Sequence, residues 1–345
     1  MNKRIEYIDA LRGFCMYLVV YSHVWTYCYK TDSSKSFDHI LVNFFLALFF
    51  FVSGFVAYKK DFSWTRKSIV GIWKRKFVQL IIPSVVFCLV LCWQLANLWN
   101  IAFSFDPLWG ISTSWYWFTV QLFFFFVIYT LTMTVVRYAK SSYQSIFLIV
   151  IALLIYCLSF SHTIMEKTQI GADLFQYLGM KHWRLYVFFT MGVLMRKHIL
   201  AVKKLIEQSI VMAVVIIVFF LMVLFSDYIN LPMWKPVGAI LYGGVSVWII
   251  FAFFYKYQHS FSQDRLLGRT MQYIGKRTLD IYMIHYFILP RHLKCLGQFF
   301  SDNVNPVIEF FVTSAIVLLI IFVSILIGNI VRLSPLLSHY LLGEK

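Results

Sequence analysis

The amino-acid sequence predicts an all-α, polytopic membrane protein: a single transmembrane domain over residues 1–345, with about ten transmembrane helices and both termini cytoplasmic. Three observations carry that expectation. Hydrophobic residues make up 61% of the 345, charged residues only 13%, and the mean hydropathy is +0.75; a soluble domain is roughly a quarter charged and under half apolar. Apolar runs recur near 8–29, 40–58, 77–98, 115–136, 145–160, 183–195, 209–226, 237–255, 273–290 and 307–331, and about 20 apolar residues suffice to cross the hydrocarbon core. If successive runs alternate in direction, 23 of the 31 lysines and arginines fall on one side and 8 on the other, the bias that marks the cytoplasmic face. The net charge of +16 then reads as loop chemistry at a membrane surface. No basic, aromatic-interleaved soluble segment is present to bind nucleic acid.

The first run, IDALRGFCMYLVVYSHVWTYCY, is broken at its start by Glu6, Asp9 and Arg12 and is followed by no small-residue cleavage site, so it reads as an uncleaved anchor. Arg12 and His23 are eleven positions apart, and eleven steps of ~100° return to within ~20° of the starting direction. The two therefore share one face of one helix, ~16 Å apart. An ionisable residue at membrane depth is a functional candidate by default. The plainer alternatives are an arginine snorkelling to the headgroups beside Asp9, and a histidine that only ties two helices together.

The second run ends FFFVSGFVAYKK, where Ser53 and Gly54 permit close helix packing. The loop after it is the most basic in the chain: Lys59, Lys60, Arg66 and Lys67, then Lys74, Arg75 and Lys76 at the start of the third run. Such cations suit phosphate groups, and they equally suit a topology-setting loop on anionic lipid. Gln79 lies one turn beyond Arg75, and Pro83 predicts a kink a turn further on. The fourth run opens STSWYWFTVQ, an interfacial aromatic belt with Trp117 and Gln121 one turn apart. The fifth and sixth runs are short for a full crossing. The ninth, IGKRTLDIYMIH, sets Thr278, Tyr282 and His285 on one stripe. Asp106, Asp173 and Asp227 are carboxylates of the outer loops. The six cysteines fall in or beside apolar runs with no CxxC, so no metal site is expected. No internal repeat or separate soluble domain is visible.

These islands together resemble the membrane-bound acyltransferase 3 family. Arg12 and His23 match its Arg-x10-His signature within YIDALRG…H. FFFVSGF, KRKFVQLIIP, WYWFTVQL, FFTMGVLMRK and GKRTLDIYMIH are each similar to family blocks in the same order. One position departs: the third-helix pattern resembles Arg-Arg-x-x-Arg-Leu, and here reads Arg75-Lys76-Phe77-Val78-Gln79-Leu80. The resemblance implies transfer of an acyl group, usually acetyl, from cytoplasmic acetyl-CoA as co-substrate. The acceptor it implies is a hydroxyl of a cell-surface or lipid-linked glycan, at the plasma (bacterial inner) membrane.

Acyl transfer to a hydroxyl needs a base, and histidine suits that near neutral pH. His23 is therefore expected as general base, Arg12 to hold the CoA end or orient the histidine's partners, and His285 as a second acid/base. Lys74, Arg75, Lys76 and Gln79 are expected to receive CoA, and Tyr282, Trp117 and Gln121 to contact the acceptor. Two rival readings use His23 and His285 differently, as proton carriers of a coupled transporter or as axial ligands of a haem.

Overall fold

A computed structural model describes residues 5–29, 38–99, 108, 110–161, 167–225, 235–290, 292–303 and 305–344. Asp106 and Asp227 lie outside them, as do parts of the loops that carry the charge bias. Among the described residues there is no strand. The chain runs α1 (Glu6–His23), a π-helical turn Val24–Tyr29, α2 (Asp38–Ala57), α3 (Arg66–Lys76), a second π-turn Phe77–Ile81, and α4 (Ile82–Trp99). It continues through α5 (Trp117–Val135), α6 (Ser141–Leu158), α7 (Gln169–Tyr177), a 3₁₀ segment Met180–Leu185, α8 (Tyr186–Lys197), α9 (Ile199–Glu207) and α10 (Ser209–Leu224). It ends with α11 (Lys235–Lys256), α12 (Leu266–Lys276), α13 (Thr278–Ile288), α14 (Lys294–Asp302), α15 (Pro306–Val331) and α16 (Pro335–Leu342).

Five helices among the described residues are long and apolar enough to cross a membrane: Arg66–Gln94, Trp117–Val135, Ser141–Leu158, Pro236–Lys256 and Pro306–Val331. Met180–Lys197 and Ile199–Glu207, joined at a 90° bend, make a sixth if taken as one broken span. The other expected runs are shorter apolar helices (Phe44–Ala57, Ser209–Leu224), or carry charge near one end, as α1 does, or are broken, as between α12 and α13. The second π-turn has a local cause. Pro83 has no N–H to give the Gln79 carbonyl, and its ring crowds that oxygen. The chain widens there, and the Ile82 N–H reaches back to Phe77 O.

The fold divides into two compact units, Met1–Phe55 with Met195–Leu326 and Val56–Leu194 with Ile327–Lys345. In the first, α1 lies against α12 with backbone touching backbone. A Cβ on Gly13 would run into the Met271 carbonyl, and one on Gly275 into the Asp9 carbonyl, so only glycines allow the approach. Because α13 follows α12 after a single residue, this seat also fixes where α13 meets α1. Hydroxyl pairs also tie this region to α15, Tyr17 of α1 with Ser314 at 2.6 Å and Tyr29 of the first π-turn with Thr313 at 3.0 Å. Phe251 of α11 packs on Tyr7, Phe51 and Phe55.

In the second unit, α3 is held to α5 by Trp73 Nε1 donating to Thr130 Oγ1 at 2.8 Å. Ser84 of α4 meets Thr119 of α5 at 2.5 Å, and α16 packs along α4 and the second π-turn.

Candidate active site

The face shared by Arg12 and His23 turns toward α13 within the first unit. Arg12 Nη2 donates to Thr278 Oγ1 at 3.2 Å and its Nη1 lies 3.7 Å from Asp9 Oδ1. At the other end of that face, His23 Nδ1 stands 2.7 Å from His285 Nε2, the rings stacked at 10° with centroids 4.9 Å apart. Thr278 and His285 are seven residues apart, two turns of one stripe, so α1 and α13 meet through polar contacts at both levels.

The partners dictate the protons. His285 Nδ1 is 2.9 Å from the Ile281 carbonyl, which can only accept, so that nitrogen carries the hydrogen. In a neutral ring its Nε2 is then an acceptor, and His23 must donate from Nδ1. His23 Nε2 is then left without a hydrogen. Tyr286 Oη reaches it at 3.4 Å. His285 and Tyr286 are buried, whereas His23 keeps partial exposure. An iron between two axial imidazoles needs roughly twice the ~2 Å metal–nitrogen distance; the direct 2.7 Å bond leaves no such gap. Among the described residues no group of three His, Cys, Asp or Glu side chains gathers to hold a metal ion.

The expected cationic residues lie in the second unit, around a pocket of about 310 Å³ lined by Lys59, Trp64, Arg75, Lys76, Gln79 and Tyr129. Lys74 is exposed and does not line it. Lys76 Nζ sits 4.4 Å over the Phe126 ring, which holds the ammonium at the wall. The Tyr129 hydroxyl is buried and has no hydrogen-bond partner among the described residues, so a polar ligand would satisfy it.

Tyr282 packs beside the His285 ring at 5.9 Å between centroids, while its neighbour Tyr286 takes the contact with His23. Trp117 and Gln121 sit toward the other end of α5 from the pocket. Gln121 Nε2 donates to Leu178 O at 3.0 Å and to Ser112 O at 3.4 Å, bracing two loops, and its Oε1 has no partner among the described residues. Trp117 stacks on His182 with centroids 3.8 Å apart. Asp173 accepts from Gln169 at 3.1 Å on α7.

Sequence reasoning missed Tyr286, Tyr129 and His182. Tyr286 is adjacent to a histidine already singled out, which is the one available signal. Tyr129 and His182 sit in aromatic surroundings with no local pattern to set them apart. A family profile described as an acyltransferase domain matches residues 5–328. No curated protein and no solved structure matches the chain.

Proposed function

Since the chain belongs to the acyltransferase 3 family, we propose that it is an integral membrane O-acyltransferase carrying an acyl group, acetyl in the simplest case, from acyl-CoA to a hydroxyl of a cell-surface or lipid-linked glycan. The observation that carries the reading is the relay from Ile281 O through His285 to His23, which leaves one imidazole nitrogen unprotonated and oriented. His23 Nε2 takes the hydroxyl proton as the acceptor oxygen bonds to the thioester carbonyl carbon. The tetrahedral intermediate collapses, the C–S bond breaks, and the imidazolium returns its proton to the departing thiolate, giving ester and free CoA. His285 holds the His23 ring and stabilises its charged form by accepting from Nδ1, the part an orienting group plays in a catalytic triad. Arg12, bonded to Thr278, keeps α13 in register with α1.

The donor's phosphates would be received by Lys59, Arg75 and Lys76, with hydrogen bonds from Gln79 and Tyr129; a guanidinium and ammonium set of this kind suits a polyanion. Trp117 and Gln121 remain proposed contacts for the acceptor. The Lys/Arg bias supports ten crossings with both termini cytoplasmic, and the membrane proposed from the family resemblance is the plasma (bacterial inner) membrane.

The deciding experiment incubates the purified protein with radiolabelled acetyl-CoA and extracted lipid-linked glycans. Label should enter the glycan fraction, and His23→Ala should cut it by about 100-fold or more. Undiminished transfer by His23→Ala would overturn the assignment of the base. Uptake of a labelled solute into proteoliposomes without CoA would instead favour the transporter reading of the same histidines.

A further inference from the structure

The last helix of the chain ends on the residue by which the pocket departs from its family's pattern. Within the second unit, α16 is capped by Ser334, whose hydroxyl accepts the Leu337 N–H at 3.4 Å, with Pro335 at its first position. Eight residues make a helix that would fray by itself in water. Here both ends are tied down. The Glu344 N–H donates to Ser338 O at 3.2 Å, and the Glu344 carbonyl lies 2.7 Å from His339 Nδ1. Arg332 Nε donates to the Glu344 carboxylate at 2.6 Å, and Leu342 is buried.

The tail closes on Gln79. Gly343 has φ +62°, and a Cβ there would stand 2.7 Å from Gln79 Cα and 3.1 Å from its carbonyl oxygen. Glycine alone meets both demands, a left-handed conformation and backbone laid against backbone. Gln79 is the middle residue of the π-turn that Pro83 imposes, and it lines the pocket beside Arg75 and Lys76. Such turns are rare and recur at functional sites. An amide in place of a cation gives a phosphate oxygen a hydrogen bond and no charge. Its contribution depends on direction, and direction depends on a fixed backbone.

We propose that Gly343 and Glu344 are positioning residues for donor binding: the C-terminal tail clamps the π-turn at Gln79 and so sets how Gln79, and Arg75 one turn before it, meet the phosphates of acyl-CoA. This rests on reading the pocket as the donor site.

The test uses the full chain in detergent, with CoA binding followed by tryptophan fluorescence and acetyl-CoA kinetics measured alongside. Gly343→Val should raise the Kd for CoA and the KM for acetyl-CoA by about tenfold, with kcat within about twofold. Glu344→Gln should shift both the same way by less, and Glu344→Asp should recover most of the loss. If Arg75→Ala weakens CoA while Gly343→Val and Glu344→Gln leave the Kd unchanged, the clamp is wrong and the pocket reading stands. If Arg75→Ala leaves CoA binding unchanged, the pocket reading falls and the clamp with it. Should Gly343→Val not be recovered folded, Glu344→Gln decides by the same criterion. A purely structural tail would lower the folded yield without moving the Kd.

Discussion

An imidazole becomes a directed base when one nitrogen is committed to a partner that fixes the other. In the proposed role His23 meets that condition: the Ile281 carbonyl claims the hydrogen on His285 Nδ1, and the consequence passes across one further bond. His23→Ala is expected to lose about 10²–10⁴ of the turnover, in protein that still elutes as a monodisperse peak. His285→Phe keeps a ring at that place but leaves the His23 donor unsatisfied, which costs about 1–3 kcal/mol. Its kcat should fall by about 10–100-fold, with KM for acetyl-CoA unchanged. A matching rise in KM would show that His285 serves donor binding instead. The sequence exposed both histidines, since ionisable residues in apolar runs stand out. It did not reveal that His285 is bonded to His23, because the bond joins residues separated by 262 positions.

At the scale of elements, glycines decide how close the helices come. Gly275→Ala would drive a methyl group into the Asp9 carbonyl and part α1 from α12. It should destabilise by about 2 kcal/mol or more, seen as a lower thermal midpoint in detergent, and should reduce activity by moving α13 off His23. Gly71, on α3, has nothing within 4 Å of a Cβ. Gly71→Ala should therefore stabilise by about 0.5–1 kcal/mol through helix propensity alone. Equal effects from the two substitutions would refute the close-approach argument. The kink expected at Pro83 takes the form of a π-turn, and its position follows from the missing N–H.

For the molecule as a whole, charge and topology give the remaining predictions. Arg75→Ala should raise KM for acetyl-CoA about tenfold, and the effect should shrink as salt is added, since exposed charges are screened over ~10 Å. Reporter fusions at either end should be active only in the cytoplasm if the Lys/Arg bias governs orientation. An active reporter on the non-cytoplasmic side at one terminus would make the number of crossings odd.

The membrane class, the family and the common face of Arg12 and His23 were determined by the sequence alone, because composition and a 3.6-residue period are local properties that survive any arrangement of the helices. The pairing of His23 with His285 and Tyr286, the exclusion of Lys74 from the pocket and the seat of Gly343 on Gln79 were decided only in the tertiary structure. Each depends on which backbones can touch, and that is set by glycines and hydroxyls distant in the chain.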